Sequence, residues 1–123
     1  MKKRDLVIVG GGPAGMAAAL SAYKSGVRDI LILERDQYLG GILNQCIHTG
    51  FGIDYFNEIL TGPEYADRFI KSVQAIPEIE ISLRSFVVNL SNDKVLTYLK
   101  PGKMEIIKAK ALIMSTGCRE RTR

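Results

Sequence analysis

Three glycines near the start of the chain have the spacing of an anion-binding turn. Gly10, Gly12 and Gly15 form the pattern G-x-G-x-x-G directly after the apolar run at 6–9. The first glycine permits a tight turn, the second leaves the main chain open to a ligand, and the third allows close helix packing. Pro13 suits the first turn of a helix, where its missing N–H costs nothing. The pattern predicts a helix whose free N–H groups and positive end bind an anion.

An acidic residue stands where a second contact to the same ligand is expected. Glu34 follows the apolar run 30–33 and comes about 20 positions after Gly15, the spacing of a dinucleotide-binding fingerprint. A carboxylate at the end of that strand can accept hydrogen bonds from an adenosine ribose, and it would repel the 2′-phosphate of NADP. The residues therefore predict a site for an adenine dinucleotide. FAD and NAD remain alternatives here, because both present the same adenosine diphosphate.

The chain alternates apolar runs with helical patterns, as expected of the strands and helices that position such a site. The run 30–34 is apolar on both faces, which is typical of a parallel strand covered from both sides. Thr61 and Glu64 form a T-x-x-E capping pattern, and apolar residues at helical spacing follow until Pro77. The predicted elements are a strand at 5–9, a helix at 13–25, a strand at 30–34, a helix at 61–76 and a strand at 79–83.

Short β segments dominate the last third of the chain. Turn residues at 92–93 and 101–102 separate segments at 85–90, 95–99 and 104–108, which predicts an antiparallel meander. The purely apolar run 111–114 then predicts a separate strand that returns to the central sheet. The fold class expected from these elements is α/β.

Composition restricts the function classes. The 123 residues are 46% hydrophobic and 24% charged, as in one ordinary globular domain. No apolar run approaches the ~20 residues of a membrane span, so we expect a cytoplasmic protein. The net charge of +4 comes mostly from basic termini, and the aromatic residues are not interleaved with them, which disfavours a nucleic-acid surface. A single His and two distant Cys argue against a zinc site or a disulfide scaffold.

The order of these parts resembles the FAD-binding portion of flavoproteins with two dinucleotide-binding domains. That superfamily, the pyridine-nucleotide-disulfide oxidoreductases, includes glutathione and thioredoxin reductases. The resemblance rests on the glycine motif, Glu34, the Gly40-Gly41 pair and the Ser-Thr-Gly at 115–117, and it covers essentially the whole chain. It implies a Rossmann-like parallel sheet with flanking helices and a three-stranded antiparallel β-meander crossover. The segments 40–52 and 117–123 are more closely similar to bacterial flavoproteins that resemble the sarcosine oxidase alpha subunit, some of them associated with glycerol-3-phosphate dehydrogenases.

The resemblance implies contacts along the whole of FAD. The pyrophosphate would be held by Gly10, Gly12, Pro13, Ala14 and Gly15. The adenosine would be bound by Glu34 at the ribose, Arg35 beside the adenine and the backbone of Val87 at the adenine edge. The ribityl and flavin portion would lie along Gly41, Ile42 and Leu43, and the adenosine-diphosphate half would pack against Thr116 and Gly117.

The family pattern also implies a longer protein. Such flavoproteins carry an NAD(P)H-binding domain after the second glycine motif, and then a returning C-terminal segment with a Gly-Asp motif that holds the ribityl chain. Neither is present in the sequence, so we expect residues 1–123 to be an N-terminal fragment, truncated from a longer enzyme and inactive alone. In the whole enzyme, FAD would pass electrons between NAD(P)H and a substrate or a dehydrogenase partner subunit. A non-catalytic module that binds an adenine dinucleotide is an alternative.

The irregular stretch 35–60 contains the candidates for catalysis, Cys46 and His48. A lone Cys46 excludes the C-x-x-x-x-C dithiol of the disulfide reductases, but it leaves open a single-cysteine disulfide or peroxide reductase. Only His48 is near enough in sequence to stabilise a thiolate. We therefore interpret Cys46 as a structural thiol, His48 as a hydrogen-bonded loop residue, and Cys118 as a loop residue.

Replacing Cys46 by serine distinguishes the two enzyme classes. We expect Cys46→Ser in the longer enzyme to leave flavin-linked turnover unchanged, because serine retains the size of the side chain while removing only the redox-active sulfur. Steady-state NAD(P)H oxidation measures this, with Cys118→Ser as the matched control. Loss of thiol-linked turnover in Cys46→Ser alone would favour the single-cysteine reductase instead.

Overall fold

A computed structural model describes residues 1–40 and 62–116. Within these residues, six strands form one sheet in the order β3-β2-β1-β6-β5-β4, accompanied by two helices. The elements in chain order are β1 (Lys2–Val9), α1 (Pro13–Lys24), β2 (Ile30–Leu33), α2 (Gly62–Gln74), β3 (Ile79–Ser82), β4 (Phe86–Leu90), β5 (Val95–Lys100) and β6 (Lys103–Met114).

β1 lies at the centre of the parallel half of the sheet. Its residues 6–9 pair in parallel with 30–33 of β2 on one side and with 111–114 of β6 on the other. β2 pairs in parallel with β3, whereas β4, β5 and the first part of β6 are antiparallel. The predicted α/β fold, with a parallel sheet, flanking helices and a meander, is confirmed.

One face of the parallel strands is covered by both helices. Ile8 of β1 and Ile32 of β2 pack in one cluster with Met16 of α1 and with Phe69 and Val73 of α2. All five side chains are at most 2% exposed. Neither α1 nor α2 is long and apolar enough to cross a membrane, and no other helix occurs among the described residues.

The meander covers the other face of the same strands. Val7 and Leu31 cluster there with Leu96 and Tyr98 of β5 and Ile107 of β6. Burial raises the pKa of the Tyr98 hydroxyl above its ordinary value. Because both faces are covered here, residues 6–9 of β1 and all of β2 are apolar, as expected of a buried parallel sheet.

The last part of the chain differs from the prediction. The segments 104–108 and 111–114, expected as two strands, are parts of the single strand β6. Where they join, Lys108, Ala109 and Lys110 continue the exposed–buried alternation and include no turn residue. β6 can therefore leave the meander and enter the central sheet without a break. Its extra length pairs with Lys2–Arg4, so β1 begins three residues before the predicted start.

A buried arginine joins the amino ends of the parallel strands. Arg4 of β1 is 7% exposed, and its Nε lies 2.7 Å from Oδ1 of Asp29, just before β2. Its Nη1 lies 3.0 Å from Oε1 of Glu80 in β3. These two ion pairs connect three neighbouring strands at the sheet edge opposite to the glycine turn.

We expect Arg4→Met to lower the free energy of unfolding by about 1–3 kcal/mol, because charge-assisted hydrogen bonds to two carboxylates are lost. Both carboxylates are about half exposed and can be rehydrated, which limits the cost. The neighbouring exposed Lys3 provides the control, since Lys3→Met should change stability by less than about 0.5 kcal/mol. Equal effects of the two substitutions in urea denaturation would contradict a role for the ion pairs.

Candidate functional site

The glycine turn lies where the carboxyl ends of three parallel strands meet. Gly10 donates its N–H to the carbonyl oxygen of Leu33, at the end of β2, over 2.8 Å. Ser115, just after β6, donates its N–H to the carbonyl oxygen of Val9 over 2.8 Å. Open α/β sheets bind their ligands at this edge. The turn is therefore fixed on both sides at the position where a ligand is expected.

Two of the three motif glycines are required by close packing. Gly10 has φ +112°, a conformation that favours glycine, and a Cβ there would overlap the carbonyl of Ser115. A Cβ on Gly15 would overlap the carbonyl oxygen of Gly10. These contacts bring the first turn of α1 directly against the main chain of the turn, as the motif predicts.

Gly12 is different, because no atom of the described residues lies within 4 Å of a Cβ built there. It is the N-cap of α1 with extended backbone (φ −78°, ψ −171°), and Pro13 follows at the first helical position. The first turn of the helix contains no acidic residue. The main chain at Gly12 thus borders open space at the positive end of a helix, an arrangement that suits an anion.

Glu34 lies beside this turn and is almost fully buried, at 6% exposure. Its Oε1 accepts the N–H of Gly11 at 2.7 Å, and its Oε2 accepts the N–H of Asp36 at 2.8 Å. Its own N–H donates to Ser82 and its carbonyl accepts from Ser85, each over 2.9 Å. Glu34 is therefore fixed at the carboxyl ends of β2 and β3. A carboxylate oxygen has two lone pairs, so each oxygen keeps acceptor capacity for a ligand hydroxyl.

The remaining predicted contacts are placed less closely. Arg35 and Thr116 are exposed, next to Glu34 and Ser115. Val87 is half-buried in β4, and the bond from Ser85 to Glu34 brings the start of that strand to the end of β2. Pro13 and Ala14 open α1. The other predicted residues lie outside the described part of the chain: Gly41, Ile42, Leu43, Cys46, His48, Gly117 and Cys118.

Three residues without a predicted role also fix the turn. The Ser115 hydroxyl lies 3.1 Å from the carbonyl oxygen of Gly10 and 3.2 Å from that of Val9. Gly40, with φ +110°, donates its N–H to the carbonyl of Gly11 over 2.9 Å, and the buried Leu39 occupies the space beside Gly11. The resemblance pointed to Ser115 and Gly40 through the Ser-Thr-Gly and Gly-Gly sequences, whereas no motif pointed to Leu39.

A separate concavity of about 410 Å³ lies on the helical side of the sheet. It contains no carboxylate, amine or thiol among its lining residues, which are Gln37, Tyr38, Leu39, Ile70, Gln74, Ile81 and Leu83. Among residues 1–40 and 62–116, no group of three or more His, Cys, Asp or Glu residues could hold a metal ion. The glycine turn is therefore the best-supported site in these parts of the chain.

Comparison with known sequences decides the family. The family described as FAD dependent oxidoreductase matches residues 5–117. The chain belongs to this family. The matched residues include the glycine turn, Glu34 and both halves of the sheet, so the whole described site lies within the part of the chain that matches the family.

Individual proteins that are similar to this chain include reductases and an enzyme subunit. Hydrogen cyanide synthase subunit HcnB of Pseudomonas protegens is 33% identical over 94% of this chain and 25% of its own length. A ferredoxin–NADP reductase of Leuconostoc citreum is 31% identical over 92% of this chain and 33% of its own. The structure of Lactococcus lactis thioredoxin reductase superposes with a TM-score of 0.73 at 26% identity, over 97% of this chain and 37% of that one. The chain thus spans a quarter to about a third of the curated relatives described.

The contacts of the glycines predict that two alanine substitutions lower stability by different amounts. Gly15→Ala should lower the free energy of unfolding by about 1–3 kcal/mol, because its methyl group meets a main-chain carbonyl that cannot move aside. Gly12→Ala has open space and allowed φ and ψ, so it should cost less than about 1 kcal/mol as a poorer N-cap. Urea denaturation of both variants measures this, and equal losses would contradict the packing at Gly15.

Proposed function

We propose that residues 1–123 form the FAD-binding domain of a longer, NAD(P)H-dependent flavoprotein oxidoreductase. The observation that carries this proposal is the open main chain at Gly12, at the start of a helix and beside the buried Glu34. Membership in the FAD dependent oxidoreductase family supports FAD over NAD as the dinucleotide. The turn fits the group, because the pyrophosphate needs an approach to the main chain that no side chain obstructs.

The pyrophosphate would be bound at the N-terminus of α1. Main-chain N–H groups at this end have no partners within the helix, and the helix dipole favours negative charge there. Gly12 gives the approach, Pro13 gives the helical φ without using a donor, and Ala14 and Gly15 begin the first turn. The contacts of Gly10 hold this arrangement against the ends of β2 and β6.

The adenosine would extend from the pyrophosphate over the carboxyl end of β2 and the start of β4. The ribose hydroxyls would donate to the lone pairs that Glu34 keeps beside its two main-chain bonds. Arg35, exposed at the next position, would lie beside the adenine, and the main chain at Val87 would meet its edge. Thr116 would pack against the same half of the cofactor.

The flavin half would lie along Gly41, Ile42 and Leu43, with Gly117 nearer the diphosphate. Gly40, the last described residue before this stretch, is bonded to Gly11, which supports an origin for the stretch beside the phosphate site. Bound FAD would supply the transfer of a hydride or of electrons. This chain would bind and orient it, because redox chemistry belongs to the cofactor.

The rest of the longer protein would supply the NAD(P)H site and the acceptor. One relative is named as a ferredoxin–NADP reductase and another as a subunit of hydrogen cyanide synthase. Those names support a nicotinamide donor and a partner subunit, which we propose to be of the dehydrogenase type. We further propose that the longer protein is related to flavoproteins similar to the sarcosine oxidase alpha subunit.

Gly12→Ala tests the proposed function. In the longer enzyme we expect FAD affinity to fall about tenfold or more, equivalent to about 1.4 kcal/mol, because the methyl group takes the space needed by the phosphates. Ser25→Ala, at the other end of α1, is the control and should leave affinity unchanged. Flavin absorbance after desalting and titration with FAD measure both.

Two results would count against this proposal. Equal FAD affinity of Gly12→Ala and the unmodified enzyme would place the pyrophosphate elsewhere. Binding of ADP or NAD without any uptake of FAD would favour the non-catalytic dinucleotide module.

A further inference from the structure

We propose that Glu34 is a positioning residue for the phosphate-binding turn, as well as a ribose ligand. Its carboxylate would hold the main chain of Gly11 in the conformation from which Gly12 and α1 meet the pyrophosphate. The inference rests on the proposed function and adds a second task for the same side chain.

The carboxylate of Glu34 is bound to the main chain through both of its oxygens. Both oxygens accept main-chain N–H groups, Oε1 from Gly11 at 2.7 Å and Oε2 from Asp36 at 2.8 Å. These lengths are in the range of charge-assisted hydrogen bonds, which are stronger than neutral ones. With 6% exposure, Glu34 forms these bonds largely out of water. The side chain therefore bridges the glycine turn and the segment after β2.

Gly11 is also fixed by contacts other than its bond to Glu34. Its carbonyl accepts the N–H of Gly40 over 2.9 Å. A Cβ on Gly11 would overlap the side chain of Leu39 and crowd Glu34 itself. Gly11 thus has its N–H, its carbonyl and the space at its Cα all occupied by neighbours. Its N–H is given to Glu34, so it is not one of the donors available to a phosphate.

The negative charge of Glu34 distinguishes the positioning role from a purely electrostatic effect on the ligand. A carboxylate beside a site for pyrophosphate repels the ligand, so charge alone predicts that a neutral residue at position 34 tightens pyrophosphate binding. The positioning role predicts the opposite, because a glutamine amide has one acceptor oxygen and can satisfy only one of the two main-chain donors. The two explanations therefore differ in the sign of the effect.

Glu34→Gln, tested with inorganic pyrophosphate as the probe, separates them. Pyrophosphate has no ribose, so a residue that acts only on the ribose cannot weaken its binding. We expect pyrophosphate affinity to fall roughly tenfold, with a similar rise in amide exchange at Gly11, as expected for a lost hydrogen bond to a charged group. Glu78→Gln, which removes the same charge before β3, is the matched control and should change neither value.

Unchanged or tighter pyrophosphate binding in Glu34→Gln, with weaker ADP binding, would overturn the positioning role and leave the proposed function intact. An unmodified protein that binds neither FAD nor pyrophosphate would defeat the proposed function and this inference together.

Heteronuclear NMR of the unmodified chain gives a test that does not depend on folding of the variant. The Gly11 amide should be protected without ligand and change little when pyrophosphate is added. Fast exchange that slows only with pyrophosphate would overturn the inference.

Discussion

The contact between the carbonyl of Gly10 and the first turn of α1 is the constraint on which the site depends. Because Gly15 has no side chain there, the helix starts directly against the turn that ends β1. The helix N-terminus is thereby placed at the carboxyl edge of the sheet, between the ends of β2 and β6. A larger residue at position 15 would displace the helix and with it the main-chain N–H groups at its N-terminus.

The two edges of the parallel sheet satisfy their polar groups in different ways. At the amino edge, Arg4 forms side-chain ion pairs with both Asp29 and Glu80. At the carboxyl edge, the charge of Glu34 is satisfied by main-chain N–H groups. No buried side-chain nitrogen or oxygen lacks a hydrogen-bond partner among residues 1–40 and 62–116. At the amino edge, the charged side chains pair with one another. At the carboxyl edge, the described residues leave open space beside Gly12, which suits an anion.

The sequence predicted the fold class and the close packing at Gly10 and Gly15, because both depend on local patterns. The single strand β6 was missed, since the separate apolar runs looked like two strands and the lysines between them carry no signal of continuity. The main-chain bonds of Glu34 were beyond reach for another reason. Gly11 and Glu34 are neighbours only through the register of β1 against β2, and spacing along the chain does not give that register. Ser115 depends in the same way on the pairing of β1 with β6.

Under the proposed function, the described residues would account for one half of a cofactor site rather than for a reaction. The glycine turn and Glu34 would recognise adenosine diphosphate, which is not the redox-active part of FAD. Relatives that share this part of the chain are named for different activities, and a common fold does not fix a common function. The same geometry at Gly12 and Glu34 can therefore serve many electron acceptors. Under the proposed function, the substrate would be selected by groups that contact the flavin end, on the far side of the pyrophosphate from Glu34.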